Sequence, residues 1–137
     1  MKVFFDTAPF IYYLEDSEKF GGQVEELFEE YQSSGATLIT SVISQMEYSV
    51  QPYRQEKGIL VDQFLELLND LSIQVIPIDR GIAEQAARLR AKYQSLKGMD
   101  ALQIATAIEC GCHIFYTNDK KLGQIKEVGI VVLSQAD

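Results

Sequence analysis

The sequence contains no tryptophan and a single histidine, His113. A Ser-His-Asp or Cys-His mechanism would have to use that one imidazole. It stands at the head of the apolar run HIFYT (113–117) and reads as a junction between a helix and a strand. There are two cysteines, Cys110 and Cys112, separated only by Gly111. A disulfide across one residue would be strained, and two thiols alone do not make a zinc site. They read as free thiols at a helix end in a reducing compartment. Long apolar runs are also missing. Asp6 interrupts the apolar N-terminus, no stretch could span a bilayer, and no signal peptide is visible. The expected address is cytoplasmic, with no membrane partner. Positive charge is scarce: 12 Lys and Arg face 20 Asp and Glu, for a net charge of −8. That excludes a protein that holds nucleic acid by a broad basic surface. An enzyme with a local basic rim remains open.

What is present is an ordinary globular composition, 47% hydrophobic and 23% charged over 137 residues, which predicts one domain spanning 1–137. Much of the negative charge lies in EDSEKF and VEELFEEYQ, where glutamates alternate with Val24, Leu27, Phe28 and Tyr31 at helical spacing. This reads as a solvated helix face. Strands are expected at 2–5, 36–40, 72–78, 113–117 and 129–133. Helices are expected at 8–15, 21–33, 42–50 (ending near Pro52), 56–70, 80–94 and 99–110, with a short turn or helix at 119–124. Asp79 suits the N-cap of the helix from 80. The strands are short and almost wholly apolar, as in a parallel sheet covered on both faces. The predicted class is therefore α/β: a three-layer α/β/α sandwich with a mainly parallel sheet of about five strands.

Ligands in such sheets bind beyond the carboxyl ends of the strands. Four acids map to that edge. Asp6 ends the first strand, Glu47 lies in the helix after ATLIT, Asp100 in the first turn of the helix opened by Gly98, and Asp119 follows HIFYT. Each has an ordinary explanation. Asp6 would cap a helix, Asp100 would suit a helix dipole, Asp119 is a turn residue, and Glu47 could simply be solvated. Four at one crevice call for more. The stretch GMDALQIATAIECG is apolar almost all round, so Asp100 sits at the mouth of a buried helix. Carboxylates crowded there would have raised pKa values unless a cation neutralised them. For an all-oxygen set that cation is Mg²⁺ or Mn²⁺.

The set DTAPFIYYLE, SQMEY, GMDALQIATAI and FYTNDKKL, in that order, resembles the PIN-domain family, the fold of VapC-type toxin ribonucleases. The likeness runs from residue 2 to about 133. It implies that Asp6, Glu47, Asp100 and Asp119 are the catalytic acids and hold divalent metal. Thr7, Thr117 and Asn118 match supporting positions. The implied activity is metal-dependent endoribonucleolytic hydrolysis of RNA phosphodiester bonds. Asp6 and Asp100 would be direct ligands, Asp119 would complete the set or hold a second ion, and Glu47 would act through water or as a base. A cognate antitoxin and a homodimer are implied as partners, with Tyr12, Tyr13, Phe20, Tyr48 and Tyr53 as surface candidates. Ala8-Pro9 departs from the Asn-aliphatic pair of many relatives.

Other acid-based classes fit less well. A receiver-type signalling domain would need a phosphoacceptor Asp ending a central strand, and neither ATLIT nor SIQVIPI ends so. A haloacid-type phosphatase would need D-x-D where this chain has Asp6-Thr7-Ala8. The remaining alternative is a catalytically inactive PIN-like binding or scaffold module, which would commonly have lost one of the acids. Lys97, Lys120 and Lys121 flank the acids and could supply a positive rim, although lysines near loops are more often only solvated.

Overall fold

Val3, Phe4 and Phe5 have no solvent exposure, because the strand that carries them, β1 (Lys2–Phe5), lies at the centre of a parallel sheet. The computed structural model describes residues 1–15 and 17–133. The chain runs β1, α1 (Thr7–Leu14), α2 (Gly21–Ser34), β2 (Thr37–Ser41), α3 (Val42–Arg54), α4 (Gly58–Asp70), β3 (Gln74–Ile76), α5 (Arg80–Lys92), α6 (Gly98–Glu109), β4 (Ile114–Thr117), a 3₁₀ turn (Lys120–Gln124) and β5 (Gly129–Val132). The strand order is β3-β2-β1-β4-β5, with every neighbouring pair parallel. This is the predicted α/β/α sandwich. No helix among the described residues is long and apolar enough to cross a membrane.

Successive strand residues point to opposite faces, so Phe4 and Phe5 belong to different cores. Phe4 stacks on its register partner Phe115 at 5.0 Å between ring centroids, in the layer with α5 and α6. Phe5 stacks on its own partner Tyr116 at 5.4 Å on the other face. It also meets the edges of Phe10 and Phe28. Tyr48 and Phe64 continue that second core, stacked at 4.5 Å. The strand register thus sets the pairing of the aromatic rings that hold both layers.

Several boundaries differ from the expectation. β3 covers only 74–76 of the predicted 72–78. Ser72 has a positive φ of 53°, and its N–H and that of Ile73 close the end of α4. Pro77 then supplies no N–H to extend the ladder. α3 does not stop before Pro52 but carries it, buried, to Arg54. The next helix starts at Gly58 rather than 56, because Glu56 takes a left-handed turn with φ 55°. Phe20 and Tyr48 are buried, at 8% and 7% exposure, and so cannot serve as surface contacts. Tyr12 and Tyr13 are both half-buried against the same core.

At Gly129 an added Cβ would sit 2.8 Å from the backbone oxygen of His113, the acceptor of its own N–H. Backbone cannot yield as a side-chain tip can. Gly129→Ala should lower unfolding stability by about 1–3 kcal/mol. Gly22→Ala in α2 meets nothing within 4 Å and should leave stability unchanged or raise it by up to about 1 kcal/mol. Urea denaturation of both variants checks the contrast.

Candidate active site

The chain first winds from β1 outward to β2 and β3, then returns to place β4 on the other side of β1. The order reverses beside β1, and the crevice at its carboxyl end is where such a sheet binds ligands. Asp6 occupies that end. Its N–H bonds the Tyr116 carbonyl at 2.9 Å, so the backbone is still tied to β4 where the side chain turns into the crevice. Asp6 also caps α1, accepting from the Thr7 N–H at 2.8 Å. Its other oxygen accepts from the Thr117 hydroxyl at 2.8 Å. Gln103 Nε2 approaches the first oxygen at 3.3 Å.

Asp6 is buried, and burial is the main reason its pKa is pushed up to about 6. The bonds from Thr7 and Thr117 oppose the rise, and the charges of Asp100 and Glu47 add to it. Asp100, half-buried in the first turn of α6, is also raised. Burial again leads, followed by repulsion from Asp119 and Glu47, with Lys97 partly offsetting both. Glu47 reaches the crevice from α3, where it accepts from the Thr7 hydroxyl at 2.6 Å. Asp119 caps the 3₁₀ turn through the Lys121 N–H at 2.9 Å, and its own N–H donates to Thr117 Oγ1 at 3.2 Å. Thr117 therefore links Asp6 and Asp119, giving its proton to one and accepting from the other.

Repulsion thus couples Asp6 to Asp100 and Glu47, and Asp100 to Asp119 and Glu47. Asp6, Thr7, Glu47, Thr117 and Asp119 are joined through hydrogen bonds, and Asp100 is coupled to them by charge. Asn118 Nδ2 donates to the Tyr12 hydroxyl at 2.8 Å. Among the described residues, no three His, Cys, Asp or Glu side chains are gathered into a group that could hold a metal ion. The two cysteines are free, and His113 accepts from the Lys2 N–H at the opposite end of β1.

The PIN domain family model matches residues 3–128. The chain belongs to the PIN domain family. Among solved structures, it is similar to VapBC2 of Rickettsia felis bound to a promoter DNA fragment, with a TM-score of 0.79, 16% identity, and 96% of this chain and 98% of that one covered. A toxin–antitoxin complex from Klebsiella pneumoniae gives 0.69 at 24% identity, covering 96% and 97%. VapC20 of Mycobacterium tuberculosis, a toxin that cleaves the sarcin–ricin loop, gives 0.67 at 17% identity, covering 93% and 98%. No curated relative matches the sequence. At these identities the likeness to solved structures is one of fold.

This PIN domain supports its acids with a buried polar network that the sequence reading missed. Gln103, 1% exposed, accepts from the Ser41 hydroxyl and donates to Ser44 Oγ at 2.7 Å. Thr40 Oγ1 donates to the Phe5 carbonyl at 2.8 Å and lies 2.9 Å from Ser44 Oγ. The visible sign was spacing. Gln103 follows Asp100 by three residues and Ser44 precedes Glu47 by three, which puts each on the same helix face as its acid.

The Asp6 pKa has a consequence for stability. The folded state binds the Asp6 proton more tightly than the unfolded chain, whose ordinary value is 3.8. Asp6 therefore makes the fold less stable as pH rises from about 4 through about 6, by up to about 3 kcal/mol. In EDTA, wild type should lose stability across that window relative to Asp6→Asn, which should be the more stable protein at pH 7. Denaturant curves at stepped pH check this, and parallel profiles for the two proteins would contradict it.

Proposed function

We propose that this PIN domain is a metal-dependent endoribonuclease that hydrolyses RNA phosphodiester bonds at Asp6, Glu47, Asp100 and Asp119. The observation that supports the proposal is the hydrogen-bonded set at the edge where strand order reverses, Asp6 through Thr7 to Glu47 and through Thr117 to Asp119, with Asp6 and Asp100 both held above the ordinary carboxylate range. An inactive binding module would have no need of mutually repelling carboxylates in a half-dry crevice.

The donor set fits Mg²⁺ or Mn²⁺. It is all oxygen, and its mutual repulsion is relieved by a cation. Mg²⁺ keeps several waters and takes only one or two protein carboxylates directly, so it would not need all four acids as direct ligands. Asp6 and Asp100 would hold it, with Asp119 completing the set and Glu47 acting through water or as a base. The ion would supply an activated water and neutralise charge on the phosphoryl oxygens. The chain's own groups prepare for this. The Thr7 N–H and the Thr117 hydroxyl fix the Asp6 carboxylate in one orientation. Thr7 does the same for Glu47, and Gln103 holds Ser44 and Asp6 in place from behind.

The biological reading is the toxin of a toxin–antitoxin pair, acting in the cytoplasm with a cognate antitoxin. The folds of the Rickettsia and Klebsiella complexes support it. Homodimerisation is supported by an uncovered apolar face. Val42, Met46, Val50 and Tyr53 lie along one side of α3, with Leu65 on α4 beside them, all between 37% and 63% exposed.

Cleavage of a panel of structured and unstructured RNAs should require Mg²⁺ or Mn²⁺ and stop with EDTA. Asp6→Asn and Asp100→Asn should each lower turnover by roughly two orders of magnitude or more. Mn²⁺ at ~100-fold its dissociation constant should stabilise wild type by roughly 2.7 kcal/mol, and Asp100→Asn by much less. Cleavage by both variants at the wild-type rate would remove these residues from the mechanism.

A further inference from the structure

Asp100 and Asp119 line a cavity of about 280 Å³ together with the side chains of Lys97, Lys121, Ser95 and Gln124. Leu96 and Leu122, 3% and 2% exposed, give it an apolar surface. Lys97 enters from the start of α6 and Lys121 from the turn after β4. The ion pairs among the described residues are Arg88–Glu84 and Lys92–Glu127, so neither lysine is paired although two carboxylates share its cavity. An unpaired ammonium beside a polyanion-cleaving site is free to bind phosphate.

Ser95 and Gln124 also line the cavity, with Gln124 Nε2 donating to Ser95 Oγ at 3.4 Å. That long bond leaves the Gln124 carbonyl oxygen and the Ser95 hydroxyl proton unused, an acceptor beside a donor. Base edges carry donors and acceptors in complementary arrangements, and they are open to such reading when the base is unstacked and unpaired. The volume is near the ~300 Å³ lower end of small-ligand clefts. It suits one nucleotide rather than a run of stacked ones.

Resting on the nuclease reading above, we propose that this cavity seats one unpaired nucleotide beside the phosphate that is cut. Lys97 and Lys121 hold its phosphate, and Ser95 with Gln124 reads its base. The two lysines offset the repulsion that Asp100 and Asp119 would otherwise exert on the strand. The two leucines exclude water from one face of the base. The seat makes cleavage dependent on the identity of one flanking base and confines it to single-stranded RNA.

The test uses the four nucleoside 5′-monophosphates with Mg²⁺ as probes, since an enzyme acting on diesters leaves them intact. Binding is read by calorimetry, and RNA cleavage is measured in parallel. Wild type should bind the four unequally. Lys97→Gln/Lys121→Gln should weaken all four by roughly tenfold and reduce the dependence on salt. Ser95→Ala/Gln124→Ala should bring the four affinities together without a comparable general loss. All four side chains are exposed, so neither double variant threatens the fold. If wild type binds none of the monophosphates, or the lysine variant binds them equally well, the seat is overturned even where RNA cleavage persists. If base preference survives in the Ser95/Gln124 variant, base reading is overturned. Monophosphate binding through the lysines without any RNA cleavage would leave a nucleotide site and sink the nuclease.

Discussion

The Asp6 carboxylate accepts hydrogen bonds from the Thr7 backbone, the Thr117 hydroxyl and the Gln103 amide, which belong to α1, β4 and α6. A buried charge without partners would be expensive. Here the partners come from three elements that meet only if the sheet is ordered as it is. The donors favour the ionised form, while burial and the charges of Asp100 and Glu47 favour the protonated one. The outcome is a group poised near neutrality, neither an inert cap nor a fully solvated acid. Everything else at this edge is arranged around that balance.

The sheet topology explains why the balance can exist. β1 lies between β2 and β4, so its carboxyl end is flanked on both sides by strand ends that deliver polar groups. Thr117 closes β4. Ser41 closes β2, caps α3 through the Ile43 N–H at 3.0 Å, and donates its proton to Gln103. One residue thus ends a strand, starts a helix and anchors the amide behind the site. The stacked pairs Phe4–Phe115 and Phe5–Tyr116 hold β1 and β4 in the register on which the Asp6–Thr117 contact depends.

Much of this was legible in the sequence because periodicity survives folding. The alternation of short apolar runs with helical patterns predicted the parallel sandwich. Asp6 and Asp119 could be expected at the carboxyl edge because each directly follows a strand, and Glu47 because α3 follows β2, whereas α6, which carries Asp100, follows another helix. The network behind them was not legible. Gln103 reads as one polar residue in the apolar helix α6, and its role depends on α6 packing over β2 so that Ser41 and Ser44 come within reach. The bond from the Asn118 amide to Tyr12 likewise joins residues far apart in the chain, and no local pattern marks it. Tyr48 is buried where a surface group is expected, because an aromatic on a helix carries no mark of which face is covered, and Phe20, just before α2, packs into the same core. The error at β3 was of another kind: SIQVIPI has the composition of a strand, but its first residues are consumed in ending α4.

The net charge of −8 raises a question for any protein that handles a polyanion. The answer lies in scale. Exposed charges more than about 10 Å apart are largely screened at ordinary ionic strength, so the glutamates of α2 matter less to a strand in the crevice than Asp100, Asp119, Lys97 and Lys121 do. At that range the crevice without a cation repels both phosphate and itself. Under the proposed reading, a divalent ion removes both repulsions at once and favours the ionised forms of Asp6 and Asp100 that burial disfavours. Cation binding, substrate binding and relief of the crowded acids then become one coupled event. This accounts for a carboxylate cluster that would be a liability in a scaffold: its instability without the ion is the same free energy that draws the ion in.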